Sequence, residues 1–197
     1  YATNVGGGVL FNSEGYVWTG VVQNCLIADN TVAYGTNAGL FFNTTGARGG
    51  GIGAYNNWCS FGLIVSNCVL ARNWALPAGL PAGDMAGSGG GLFIRHGSGL
   101  TSIRNTLIVS NVATTAGGCH LNYGPHVLDA CRIAHNRTTT NGYNNLVWYT
   151  GGAGLEVNAN SLTMRNCLVH HNVSQGRGGG FYITSGPVSL HQTTVVS

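Results

Sequence analysis

A repeated heptapeptide constrains this chain more than any other feature. Asn24-Cys-Leu-Ile-Ala-Asp-Asn30 recurs as Asn67-Cys-Val-Leu-Ala-Arg-Asn73, Asn105-Thr-Leu-Ile-Val-Ser-Asn111, Ala130-Cys-Arg-Ile-Ala-His-Asn136 and Asn166-Cys-Leu-Val-His-His-Asn172, and a sixth copy opens at Gln192. Between the copies lies a glycine run leading into alternating apolar residues: Gly6-Gly-Gly-Val-Leu-Phe11, Gly49-Gly-Gly-Ile52, Gly89-Gly-Gly-Leu-Phe-Ile94, Gly151-Gly-Ala-Gly-Leu-Glu-Val157 and Gly178-Gly-Gly-Phe-Tyr-Ile183, with Gly117-Gly-Cys-His-Leu121 as a weaker copy. Repeats decide a fold ahead of local propensity, because each unit buries its apolar face only by stacking on the next. Successive copies start 43, 38, 25, 36 and 26 residues apart. Constant motifs with a variable period fit strands joined by loops of different length, and do not fit helical repeats.

Aligning the copies gives columns of consistent chemistry. Val22, Val65, Ile103, Leu128, Met164 and Leu190 form one apolar column, and Ile27, Leu70, Ile108, Ile133, Val169 and Val195 another. Both should point inward. The column Gln23, Ser66, Arg104, Asp129, Arg165 and His191 is polar throughout, as the two-residue alternation of a strand requires for its outer face. Asp129 then lies between two arginines, an expected surface ion ladder, and Arg72 follows Asp29 as a cross-rung pair. The coil that satisfies these columns is an all-β, single-stranded parallel β-helix, a solenoid of about six rungs with successive strands ~4.8 Å apart.

Asn30, Asn73, Asn111, Asn136 and Asn172 fill one column without exception. Stacked amides donate to one rung and accept from the other, so this column is expected to be an asparagine ladder at a corner whose left-handed backbone Asn tolerates. An Asn outside the column, such as Asn122, should matter less. Cys25, Cys68, Thr106, Cys131, Cys167 and Thr193 share another column. Their stacked β-carbons are too far apart for disulfides, so the four cysteines are expected to be free, buried thiols acting as small hydrophobes. Cys59 and Cys119 fall outside it.

The glycine runs and the aliphatic-x-x-Asn motif together resemble the right-handed parallel β-helix repeats of bacterial secreted and surface proteins. They are similar to the Gly-Gly-Ala-aliphatic and Phe-x-x-Asn repeats of chlamydial polymorphic membrane proteins. The resemblance covers residues 5 to 197. It implies the handedness and an extracellular or cell-surface setting, and it transfers no catalytic residue.

Composition narrows the function. Only 13 of 197 residues are charged and all eight basic ones are arginine, which argues against long solvated helices. With 44% hydrophobic residues and a net charge of +3, the chain has enough apolar surface to offset its conformational entropy and is not disordered. Four prolines and no strict glycine period exclude collagen. No apolar run approaches the ~20 residues of a membrane span. The arginines are spread over every rung, so nucleic acid is not an expected partner.

Many parallel β-helices act on polysaccharides, which makes the acid inventory decisive. It holds Glu14, Asp29, Asp84, Asp129 and Glu156. A glycosidase needs two carboxylates ~5–9.5 Å apart, and no two of these share a column. His135 and His171 do share one, with His170 beside the second, but without a third recognisable ligand they read as a solvated surface pair. No metal and no cofactor is expected. Long segments after the ladder, from 31 to 48, 74 to 88 and 137 to 150, carry Tyr34, Phe41, Phe42, Trp74, Tyr143, Trp148 and Tyr149, a candidate shelf for glycans or a protein partner. The chain opens close to a glycine run and stops short of the next ladder position. It is therefore expected to be one β-helix domain, 1–197, that is a window on a longer solenoid, or a subunit that stacks on copies of itself end to end. The function that follows is a non-enzymatic extracellular stalk, fibre subunit or adhesin-like module. The alternative is a polysaccharide lyase or glycoside hydrolase of the pectate-lyase-like β-helix class.

Overall fold

The computed structural model describes residues 2–3, 5–12, 17–33, 47–55, 61–76, 87–95, 97–139 and 151–196. They form four parallel sheets, each built of one strand per rung, in a parallel β-helix. The first face stacks Val9–Asn12, Ile52–Tyr55, Leu92–Arg95, Cys119–Asn122, Leu155–Asn158 and Phe181–Ser185. The second stacks Trp18–Gln23, Phe61–Ser66, Thr101–Arg104, Pro125–Asp129, Ser161–Arg165 and Val188–His191. The third, from the heptapeptide, stacks Leu26–Ala28, Val69–Ala71, Leu107–Val109, Arg132–Ala134, Leu168–His170 and Thr194–Val196.

A fourth face, which the repeats do not mark, completes the coil. Ala2–Thr3, Thr31–Ala33, Trp74–Leu76, Val112–Ala113 and Arg137–Thr138 pair in parallel directly after the ladder corner. The variable segments therefore leave two or three residues later than the repeats suggest. These strands are too short for their alternation to show in the sequence.

The apolar columns pair as aligned: Val22 with Val65, Val65 with Ile103, Ile103 with Leu128, Leu128 with Met164 and Met164 with Leu190. The Ile27 to Val195 column is equally regular. Val9, Ile52, Leu92, Cys119, Leu155 and Phe181 supply a third inward column from the first face. That register accounts for Cys119, a completely buried thiol in an aliphatic position. The three columns meet in one continuous core, except that Leu190 and Val195 of the last described rung, with no further rung covering them among the described residues, are 48% and 44% exposed.

Two corners differ from expectation. The left-handed residues are not the ladder asparagines but their predecessors Asp29, Arg72, Ser110, His135 and His171, together with Asn24, Asn67, Asn105, Ala130, Asn166 and Gln192 at the other end of the third face. The ladder side chain must point into the coil, so the bend is made one residue earlier. The Asp129 ion ladder is also absent. Arg104 Nε donates to Ser102 Oγ at 3.0 Å, two residues back on the same outer face, and Asp129 accepts from Asn166 Nδ2 at 3.2 Å. The Arg72–Asp29 pair does form, with two bonds of 2.7 Å, and it holds the Asp29 carboxyl below its usual range.

The glycine run and the ladder turn out to be one device. A β-carbon on Gly8, Gly51, Gly91, Gly118 or Gly154 would lie 2.8–3.1 Å from the Nδ2 of the ladder Asn in its own rung, and closer still to, or equally near, a glycine carbonyl of the next rung. Glycine is required there because two backbones and an amide meet with no space for a methyl group. Gly91→Ala is expected to lower stability by about 2 kcal/mol by overpacking this contact, measured as a shift in the urea midpoint at unchanged slope.

Candidate functional site

The ladder is a continuous chain of hydrogen bonds from Asn30 to Asn172. Asn73 Nδ2 donates to Asn111 Oδ1 at 3.0 Å and to the Ile27 carbonyl at 2.9 Å. Asn73 Oδ1 accepts from the Nδ2 and backbone N–H of Asn30 at 3.0 and 3.1 Å. Asn111 and Asn136 repeat the pattern with bonds of 2.9–3.0 Å. Asn172 ends it, accepting from Asn136 and donating to the Ile133 carbonyl at 2.9 Å. Asn73, Asn111, Asn136 and Asn172 are buried and Asn30 partly so. Both donors and both lone pairs of each interior amide are used, which a buried amide requires.

The Cys/Thr column has a related logic. Each side chain donates to the carbonyl two residues back across the left-handed corner: Cys25 to Gln23, Cys68 to Ser66, Thr106 to Arg104, Cys131 to Asp129, Cys167 to Arg165 and Thr193 to His191, at 2.7–3.3 Å. A thiol and a hydroxyl interchange here because both are small donors, so these cysteines are more than hydrophobes. All four are free; Cys68, Cys131 and Cys167 are buried as expected, but Cys25 is exposed. Among the described residues its third-face strand lies at the edge of its sheet, with a neighbour on one side only. Burial pushes the Cys119 thiol well above its usual range, and the neighbouring Cys167 thiol, followed by burial, does the same for Cys131.

A buried polar cluster on the outside of the first face does not appear in the sequence reading. The outward column there runs Leu10, Gly53, Phe93, His120, Glu156 and Tyr182. Beside it, just before the glycine corners, stand Arg48, Ser88 and Thr115, joined by parallel bridges. His120 is 3% exposed. Its Nδ1 is hydrogen-bonded to Ser88 Oγ, which accepts from Thr115 Oγ1 at 3.1 Å, and its Nε2 meets Asn122 Nδ2 at 2.8 Å. The Phe93 ring is edge-on to His120, and the Arg48 guanidinium lies 5.1 Å from the Phe93 centroid. Asn122, expected to be a bystander, is thus buried and engaged. Burial, assisted by the charges of Arg48 and Arg95, lowers His120 to about 4 against the opposing Asn122 hydrogen bond.

Glu156 is the register neighbour of His120 on the next rung. Burial raises its carboxyl to about 7, a Thr115 hydrogen bond opposing, and its Oε2 makes no hydrogen bond among the described residues. Across the next rung Tyr182 is its register partner, and Arg177 Nη1 donates to the Tyr182 hydroxyl at 2.7 Å. The cluster therefore holds a neutral imidazole beside a carboxyl that keeps its proton close to neutrality. The aligned glycine runs already place His120 and Glu156 in adjacent rungs of one column, so the signal was in the sequence. Ser88 and Thr115 precede the runs, where no motif marks them.

Of the candidate shelf, Trp74 lies in a fourth-face strand, 45% exposed, between Thr31 and Val112 of the neighbouring rungs. Tyr34, Phe41, Phe42, Tyr143, Trp148 and Tyr149 lie outside the described residues, as do Cys59, Glu14 and Asp84. No helix among the described residues is long and apolar enough to cross a membrane. No family model, curated protein or solved structure matches the chain.

Proposed function

We propose that this chain is a rigid, non-enzymatic β-helix module, an extracellular or cell-surface stalk, fibre subunit or adhesin-like element. The observation that carries the reading is the asparagine ladder, which ties five successive rungs together through one chain of amide hydrogen bonds and stiffens the coil. The setting rests on the resemblance of the repeats to secreted and surface proteins. Burial of Cys68, Cys119, Cys131 and Cys167 is compatible with an oxidising medium, because enclosed thiols are inert. Trp74, turned outward on the fourth face, offers a ring on which a sugar or a protein partner can stack.

A second reading, a carbohydrate-active lyase or hydrolase, is favoured by one observation, the proton held by Glu156 near pH 7. Raised carboxyls of this kind serve as general acids in glycoside cleavage. Asp29 and Asp129, the other acids among the described residues, lie on the third-face corner and the second face. Glycan-array binding combined with sugar-release assays separates the two. The structural reading expects either saturable glycan binding or none, with no reducing ends or unsaturated products released. Release of product from a polyuronate, lost in Glu156→Gln, would overturn it.

A further inference from the structure

His135, His170 and His171 converge at the corner between the third and fourth faces. His135 and His171 occupy the left-handed position before the ladder in adjacent rungs, with φ of 55° and 51°, and both are exposed. Their rings stack with centroids 5.1 Å apart. His170 ends the strand Leu168–His170, outward-facing and 7% exposed, and stands nearly perpendicular to both rings at 5.5 and 4.9 Å. The third histidine that the repeat alignment leaves beside the column thus completes a cluster in which one ring nitrogen from each residue lies within 4.8 Å of the others.

The hydrogen bonds fix the tautomers. Arg132 Nε–H donates to His170 Nε2 at 2.8 Å, so neutral His170 carries its proton on Nδ1. That proton points at His171 Nδ1, 2.6 Å away, which must present its lone pair. Two nitrogens this close need an electropositive centre between them, and here it is a single proton. We propose that a divalent transition-metal ion of the zinc class takes its place, held by His135, His170 and His171 with water in the fourth position. Neutral imidazoles are the donors such ions prefer. Tetrahedral bonds of ~2.0–2.1 Å place the nitrogens ~3.3 Å apart. Reaching that spacing takes side-chain rotation of the two exposed rings, with His170 as the fixed member.

Arg132 is the competitor in this scheme. When His170 Nδ1 binds the ion, its proton moves through solvent to Nε2, which then faces the Arg132 donor instead of accepting from it. Arg132 is exposed and can swing into water, but its hydrogen bond is lost and its charge opposes the ion. Arg132→Gln removes the charge and supplies an amide oxygen for the Nε2 proton, the outer-sphere acceptor that metal-bound imidazoles use.

Titration of the full chain with Zn2+, followed by calorimetry, tests the site, and Co2+ absorption identifies its ligands. One saturable site is expected, with tetrahedral cobalt bands and no thiolate charge-transfer band. His135→Asn and His171→Asn keep a residue that tolerates the left-handed corner and should lose the binding. Arg132→Gln should bind about tenfold more tightly. A thiolate band, which would point to the exposed Cys25, would overturn the proposal, and so would saturable binding that survives His171→Asn. Absence of any saturable binding in both the wild type and Arg132→Gln would do the same.

Discussion

Asn111→Ala should lower stability by about 4 kcal/mol or more, whereas Asn160→Ala, on an exposed residue, should change it by less than about 0.5. Truncation at Asn111 removes four hydrogen bonds: the Asn73 N–H loses its acceptor and the Leu70 carbonyl its amide donor, while Asn73 Nδ2 keeps only the Ile27 carbonyl and Asn136 Oδ1 keeps only the Asn111 N–H. A stranded donor costs about 1–3 kcal/mol and each of the other lost bonds about 0.5–1.5 kcal/mol, and relaxation of the coil recovers only part of the sum. Asn111→Asp provides the control for shape. Its size is unchanged and it still accepts from Asn73, but it aims a carboxylate oxygen at the Leu70 carbonyl and Asn136 Oδ1, so it should be as damaging as alanine at neutral pH. Equilibrium denaturation gives the magnitude. Amide exchange locates it, with loss of protection expected first at Asn73, whose N–H is bonded to Asn111 Oδ1. Equal losses for Asn111→Ala and Asn160→Ala would show that the ladder does not hold the coil.

The core and the ladder were legible in the sequence because a stacked fold writes its geometry into columns. Six copies of one position average out local noise, and an aliphatic or an Asn that never varies can only be an inward or a cross-rung position. The same averaging explains what was missed. The fourth face has two or three residues per strand, too few for alternation to register. At the corner before the ladder the left-handed residues are Asp, Arg, Ser and His, and their conformation follows from the neighbouring Asn that must point into the coil, not from their own type. The His135, His170 and His171 cluster was half visible, since two members share a column and the third sits next door in sequence. What alignment cannot show is that a strand end and a corner turn their side chains toward the same point. The Asp129 ion ladder failed for a related reason, because Arg104 finds a nearer acceptor on its own strand.

The first-face cluster leads to a pH experiment whose sign can be worked out in advance. Glu156 is raised from 4.5 to about 7 on folding, so between these values the folded state holds a proton that the unfolded chain has released. Its contribution to stability is present below pH 4.5 and is lost as pH rises toward 7. His120 is lowered from 6.5 to about 4, so the unfolded chain holds the proton that the folded state refuses. Its contribution is present above 6.5 and is lost as pH falls toward 4. In the shared window folding moves one proton from His120 to Glu156, and the two slopes cancel. The single variants should therefore diverge where the parent protein shows no net effect from the pair. Glu156→Gln should gain stability relative to the parent as pH rises through the window, at up to about 1.4 kcal/mol per pH unit. His120→Gln should lose stability over the same range with a similar slope. Urea midpoints measured every half unit from pH 4 to 7.5 would show two difference curves of opposite sign. Parallel curves would mean that neither group is buried in the state that its neighbours Ser88, Thr115 and Asn122 imply.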